Sequence, residues 1–336
     1  MSKSKLYHVG IDVSKKTLSV AIDKGDNMIR DGEFDNTSSG HKKLLRFVTK
    51  GKPSEVKVCM EATGIYHQNL AACLSQQSSI LVMVVNPHAM KSFAAANHTR
   101  AKTDQVDAKT ILTYVQRMPF KTWQAPSLEQ QEILALTHRI NQLTSERARE
   151  RARLTNNTYR SEAWKAIEKN MRQHVKQLTK HIDELSALLN TIIEQHEVYK
   201  KQKELLISVK GIGDISAALI IAELANMPDD LTPSQLVAFA GLDPKPKESG
   251  SSMNKPRRIS KAGNKRLRAA LFMPAMSAIR HQENVKAFYT MLTGKGKKKM
   301  QAIVAVMKKL LLCVYGMLKN GATWDANKFY KIENIA

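Results

Sequence analysis

Cysteine is scarce in this chain, three in 336 residues, at positions 59, 73 and 313. None has the paired spacing of a metal ligand set, so the three read as small core residues. No apolar run approaches the length of a membrane-spanning helix, and the N-terminus has no apolar signal core; the expected setting is intracellular, with no membrane partner. Acids are scarce beside bases: 30 Asp plus Glu against 53 Lys plus Arg leave a net charge of +23. Such an excess repels itself in a compact state and suits a polyanion, which favours nucleic acid as partner over a membrane surface. The remaining composition, 43% hydrophobic and 25% charged, is ordinary for globular domains. The length accommodates two or three of them.

The stretch Tyr7 to Asp23 reads as two apolar strands around a turn at Ser14-Lys15-Lys16, a hairpin by alternation of β-branched and aromatic residues. Asp12 breaks the apolar pattern at the end of the first strand. A carboxylate there is costly unless it meets water, a cation or a metal. It either caps the Val13–Lys16 turn or serves as a first ligand for magnesium, which binds through one or two carboxylates plus substrate phosphates.

Further elements follow in an informative order: a third strand over Asn27 to Phe34, a helix carrying Leu44, Leu45, Phe47 and Val48, and a strand from Val56 to Met60. Then come a helix from Ile65 to Leu74, a strand from Ile80 to Val85, a helix from about His88 to Ala96, and a helix capped by Thr103 and running through Val115. Three strands, helix, strand, helix, strand, helix is the order of the ribonuclease H-like nucleases, a mixed sheet flanked by helices. Three more acids fall at element ends. Glu61 closes its strand, and Asp104 and Asp107 sit three apart on one face of a helix's first turn. Each has a structural explanation of its own, a turn for Glu61 and the helix dipole for the aspartates. Together with Asp12 they form a set able to hold one or two divalent cations against a phosphate. His67 and Ser14 lie nearby in sequence without a distinguishing signal.

Pro126 marks a boundary. Two polar helical runs follow, with Ile133, Leu136, Ile140 and Leu143 in the first and Met171, Val175, Leu178, Ile182, Leu185, Leu189 and Ile192 in the second. The second alternates steps of four and three, a coiled-coil seam with Lys and Glu on its flanks. A long thin hairpin is a poor monomeric core, so a contact between protomers is expected, with an internal spacer as the alternative.

From Glu204 a mainly helical region begins. Two apolar stretches around Gly211-Ile212-Gly213 make a helix-hairpin-helix pattern, in which glycines permit a tight turn whose N–H groups face a phosphate; an ordinary buried corner has the same pattern. A second helix is expected over Pro233 to Gly241. Then Lys245, Lys247, Lys255, Arg257, Arg258, Lys261, Lys265, Arg266 and Arg268 surround Ser249, Ser251 and Ser252 with a single acid, Glu248. Arginine and lysine stabilise a pentacoordinate phosphate, and a serine needs such help to act as nucleophile. Composition alone favours a solvated basic loop whose serines only contact phosphates. A second basic cluster, Lys295 and Lys297 to Lys299, precedes a helix from Val304 to Leu318, against which Trp324 is expected to pack.

The motifs GIDVSK, MEATG, KTDQVDA, GIG, AGLDP, ESGSS and SKAGNKRLRAAL, in that order across nearly the whole chain, resemble the DEDD-type insertion-sequence transposases, the insertion-sequence 110 type and relatives of the Piv invertase. The resemblance implies a RuvC-like domain over 1–124, coiled-coil helices over 125–200 and a transposase domain over 201–336. It implies that Asp12, Glu61, Asp104 and Asp107 bind Mg2+, with Mn2+ as a substitute, and that Ser249 is the nucleophile, Ser251 and Ser252 being close neighbours. It further implies a bacterial, nucleoid-associated recombinase, a dimer or, when active, a tetramer, acting on target and donor DNA under the direction of a structured noncoding guide RNA. In such a system base pairing specifies sequence while the protein reads backbone and shape. A RuvC-like nuclease using water, or a non-enzymatic protein that bridges nucleic acids, are the alternatives.

Overall fold

The computed structural model describes residues 5–62, 64–97, 103–155, 161–225, 227, 231–245 and 258–332. The chain divides into two compact units, Met1–Ala125 and Pro126–Ala336.

The first unit is built on five strands, β1 (Leu6–Val13), β2 (Thr17–Asp23), β3 (Ile29–Asp35), β4 (Glu55–Glu61) and β5 (Ile80–Val85), in the order β3-β2-β1-β4-β5. β1 pairs antiparallel with β2 and parallel with β4; β2–β3 is antiparallel and β4–β5 parallel. Four helices accompany them: α1 (Ser38–Thr49), α2 (Gln68–Ser75), α3 (Pro87–Ala96) and α4 (Asp104–Arg117). This is the mixed sheet flanked by helices that the element order predicts. Odd-numbered residues of β1, Tyr7, Val9, Ile11 and Val13, pack with Leu44, Val48, Leu70 and Leu74 of α1 and α2. The opposite face carries a second cluster, in which Ala21, Cys59 and Met83 meet Met90 of α3 and Ala108, Ile111 and Leu112 of α4. Cys59 is thus the core residue expected.

That second face has a row of small residues, Ala21, Gly10 and Cys59, paired across β2, β1 and β4. A Cβ on Gly10 would lie far inside contact with the backbone at Ala108 O and Leu112 N. Only glycine lets α4 cross the sheet at this distance, the close backbone approach that a strand glycine often marks. Two polar contacts fix the helix along its length. Gln116 Nε2 donates to Asp23 Oδ2 at 3.0 Å, and Lys109 pairs with Asp31 at 2.8 Å.

One helix differs from expectation. α2 starts at Gln68, so Ile65, Tyr66 and His67 belong to the turn between it and β4.

The second unit is helical: α5 (Leu128–Thr155), α6 (Glu162–Gln195), α7 (Glu197–Ile207), α8 (Asp214–Leu224), α9 (Pro233–Phe239), α10 (Lys265–His281), α11 (Glu283–Gly294), α12 (Lys299–Asn320) and α13 (Ala326–Phe329). Part of the α6 seam packs within the chain: Leu178, Ile182, Leu189 and Ile193 lie on Ile133, Ile140 and Leu143 of α5 and on Ala218 and Ala222 of α8, while Met171 and Val175 stay half-buried. The hairpin is not thin, because α8 supplies a third wall; α8 is apolar on every side and buried on most.

The expectation of no span-length apolar run is also corrected. α12 is long and apolar enough to cross a membrane by length and composition. Its Val306, Leu310, Leu311 and Val314 are fully buried in the C-terminal core with Leu267, Leu271 and Phe329, so a core helix accounts for the run. Trp324 packs there as expected, with its ring 5.8 Å from that of Phe329.

Gly10→Ala is expected to lower the stability of the first unit by about 1–3 kcal/mol or more, the range for overpacking, in urea unfolding. Gly316→Ala, in the interior of α12 with open space at the Cβ position, should instead stabilise by roughly 0.5–1 kcal/mol.

Candidate active site

The first unit gathers four acids from three elements. β1 and β4 run parallel with Ile11 beside Met60, and one residue further along the same register Asp12 stands level with Glu61. Neighbouring strands lie about 4.8 Å apart, and residues level with one another share a face. By the alternation of the strand, that face is the one Gly10 opens to α4. Ala108, directly over Gly10, is preceded by Asp107 and, one turn earlier, by Asp104. Thr103 caps the helix by accepting from Val106 N–H at 3.3 Å. Close passage of α4 therefore carries its acidic first turn toward the strand ends.

The electrostatics register this convergence. Burial pushes the Asp12 carboxyl up to about 6, and repulsion from Asp104, Asp107 and Glu61 adds to the shift; a hydrogen bond from Val13 N–H opposes it. Glu61 is also raised, first by burial and then by Asp107. The turn after Asp12 is also closed by Ser14 N–H donating to Thr17 O at 2.9 Å. Among the described residues no three His, Cys, Asp or Glu side chains stand close enough to hold a metal ion together. The four acids share an electrostatic neighbourhood without forming a closed ligand shell. As a donor set they suit a hard divalent cation, which takes carboxylate oxygen and offsets like-charge repulsion.

In the second unit, Ser249, Ser251, Ser252, Lys247, Lys255 and Arg257 lie outside the described residues. Pro244 and Ile259 form a bridge, Lys245 N–H donates to Arg258 O at 2.8 Å, and Ser260 N–H to Asp243 O at 2.8 Å. The Ser260 hydroxyl donates to Asp243 Oδ1 at 2.5 Å. Below them two glycine turns interlock. A Cβ on Gly263 would run into Phe239 O and the Gly241 nitrogen, while Gly241, at φ +62°, would strike Arg268 Nη1 and Gly263 N at 2.7 Å. The glycines of AGLDP and SKAGN thus let one turn rest on the other.

The predicted phosphate-contacting bases separate into two groups. Lys245, Arg258, Lys261, Lys265 and Arg266 are exposed. Arg268 is engaged inside, with Nη1 donating to Ala240 O at 2.8 Å and Gly263 O at 3.0 Å, so its guanidinium braces the interlocked turns. Gly211, at φ +117°, turns its Cα toward α10, where a Cβ would meet Pro274 O and Ser277 Cβ at 3.0 Å. Gly213 faces open space at the head of α8.

Two groups of supporting residues carry no motif. Glu223, half-way between apolar neighbours in α8, accepts from His138 Nε2 at 2.7 Å and from Asn264 Nδ2 at 2.6 Å. Burial pushes its carboxyl up, but those hydrogen bonds outweigh burial and leave it below the ordinary range. Asn264 also caps α10, accepting from Arg266 and Leu267 N–H. In the first unit, Asn36 Nδ2 donates to Ser14 O at 2.9 Å and Tyr66 O at 3.2 Å, joining the turn after Asp12 to the one after Glu61. A buried acid within an apolar helix was the available signal for Glu223; Asn36 in a polar Asn-Thr-Ser-Ser-Gly turn had none.

Residues 9–157 match a family model described as a transposase, and residues 203–290 match that of the IS116/IS110/IS902 transposase family. The pilin gene-inverting protein of Moraxella bovis is 28% identical over 331 residues, covering 96% of this chain and 98% of that protein. An insertion element IS110 protein of 43.6 kDa from Streptomyces coelicolor is 25% identical over 142 residues, 42% of this chain and 34% of that one. A fowlpox virus resolvase solved with Holliday junction DNA overlaps 33% of this chain and 97% of its own, at 17% identity and a TM-score of 0.22. So slight an overlap leaves the fold to be read from the strand order itself.

Because the folded state raises Asp12 above its ordinary 3.8, stability is expected to fall as pH rises from about 4 to about 6 and then to level off. Asp12→Asn should remove that loss, gaining on the order of 1 kcal/mol at pH 8 in chelator after allowance for solvent screening and little at pH 4, as read by urea unfolding.

Proposed function

This chain belongs to the IS110 family of DEDD transposases, enzymes acting on DNA, and we propose that it exchanges DNA strands through a serine–phosphate linkage, under the direction of a structured guide RNA. The observation that carries the reading is the convergence of Asp104, Asp107 and Glu61 on Asp12. In a strongly basic protein, a local excess of carboxylates has a reason to exist if a divalent cation and a phosphate meet there. Asp12, Glu61, Asp104 and Asp107 would hold Mg2+ or Mn2+, which when bound supplies positive charge for a phosphate oxygen and eases loss of a hydroxyl proton.

The serine supplies the chemistry that water does not. Ser249 Oγ forms a bond to phosphorus while the bond to the departing sugar oxygen breaks; that oxygen takes up a proton as the serine loses one. The phosphodiester energy stays in the phosphoserine, so the hydroxyl of a partner strand reverses the step and rejoins DNA without a nucleotide triphosphate. Lys245, Arg258, Lys261, Lys265 and Arg266, exposed around the roots of the serine stretch, supply charge for backbone phosphates. A gene-inverting relative that aligns along nearly its whole length supports recombination, since inversion rejoins every end it cuts. The guide RNA rests on the family resemblance and on the +23 charge, which serves RNA and DNA alike. Two duplexes exchanging strands call for a dimer at least and a tetramer when active, with nucleoid DNA as the setting.

A covalent protein–DNA adduct is expected on denaturing gels with Mg2+ and element-end DNA, lost in Ser249→Ala and kept in Ser251→Ala and Ser252→Ala. Asp12→Asn should lower adduct formation by about 100-fold or more, the scale for losing a charge-stabilising group. Cleavage that survives Ser249→Ala without an adduct would instead assign the attack to water. RNA that co-purifies should sequence as one structured species; random fragments would remove the guide. Millimolar Mg2+ should raise the melting temperature of the wild type and leave Asp12→Asn unmoved.

A further inference from the structure

A cavity of about 430 Å3 opens where α1 and α2 meet the turns after β1 and β4, lined by Lys15, Asn36, Lys42, Ile65, Tyr66 and Asn69 among others. Among the described residues no Asp or Glu lines it. Its walls come from the turn that follows Asp12, the segment leading into α1, and the turn that follows Glu61. Lys15 and Lys42 are exposed, and α1 opens on the cavity through Thr37 and Ser38 with no acid in its first turn, which favours an anion. Facing these charges, Ile65 is 72% and Tyr66 38% exposed, two large apolar side chains held out of any core.

The floor is built. Buried His41 places Nε2 at 2.8 Å from Asn36 Oδ1, and Asn36 gives both amide hydrogens to Ser14 O and Tyr66 O. With its oxygen accepting, Asn36 fixes the Nε2–H tautomer of His41. Burial holds His41 below the ordinary histidine range, so it orients the amide without adding charge.

We propose that this cavity takes one unpaired nucleotide of a nucleic-acid strand, its base against Ile65 and Tyr66 and its phosphate on Lys15 and Lys42. The cavity lies within the size range of small-ligand sites, and aromatic stacking beside cations is how unpaired bases are held without sequence preference. Lys15 and Ile65 of its lining follow Asp12 by three residues and Glu61 by four along the chain. Such a site deepens the strand-exchange reading and rests on it for its biological purpose, not for its binding test.

The full-length protein is titrated with duplexes that carry one bulged nucleotide or none, in DNA and RNA forms. The bulged duplex should bind tighter by about fivefold or more, the lower end for one stacked base. It should also slow iodoacetamide labelling of Cys73, which lines the cavity, where the paired duplex does not. Tyr66→Ala and Lys42→Ala should each lose the preference while Tyr66→Phe keeps it, and affinity of Tyr66→Ala for paired duplex should stay within about twofold. The DNA and RNA arms identify which strand is held. Equal binding of bulged and paired duplexes in both arms overturns the proposal, as does unchanged Cys73 labelling, or equal protection by a free nucleoside monophosphate. Asp12→Asn should abolish strand cleavage yet keep the bulge preference, so an absent adduct leaves this site standing and absent bulge preference leaves the adduct chemistry standing.

Discussion

The passage of α4 over Gly10 is the contact on which the gathering of the first unit's four acids depends. Four carboxylates on three elements repel one another, and no attraction among them brings them together. What does so is backbone against backbone, a helix seated on the row Ala21-Gly10-Cys59 and pinned along its length by Lys109 and Gln116. The apolar cluster beneath α4 offsets the cost of raising Asp12. Sheet pairing settles Asp12 against Glu61, and helix packing then delivers Asp104 and Asp107. The gathering of the acids is a by-product of a fold that is stable for other reasons.

The second unit uses the same device with different parts. Gly241 and Gly263 let two turns rest on each other, and Arg268 spends its guanidinium on their carbonyls. Glu223 then connects the head of α10 to α5 through Asn264 and His138, so the helical hairpin and the roots of the serine stretch share one hydrogen-bonded junction. Burial of the α6 seam against α5 and α8 makes the hairpin part of this core.

Much of the architecture was legible because local pattern and tertiary use agree. The β1–β2 hairpin, the β5 strand and the Thr103 cap follow from alternation, apolar runs and capping chemistry, and the structure has them where those signals lie. Acids at element ends were legible because they break an apolar pattern. What could not be read were partners distant in sequence. Periodicity exposes the α6 stripe but does not name its cover, and α8, which completes that cover, lies beyond a full additional helix. Arg268 looks like its neighbours in a basic run, and only the fold of Ala240 and Gly263 toward it gives it a different task. Glycine at position 10 within an apolar strand was a signal of close approach, though without the identity of the helix that approaches.

The bridge between Pro244 and Ile259 has a consequence for how far the chain between them can extend. Lys245 is tied by its N–H to Arg258 O, and Ser249 follows it by four residues. At about 3.5 Å per extended residue, covalent geometry keeps the Ser249 Cα within about 14 Å of that tether. In the proposed reaction a phosphate bound for Ser249 would have to come inside this radius. The length of the leash is a property that insertion of a few residues between Lys245 and Arg258 would change.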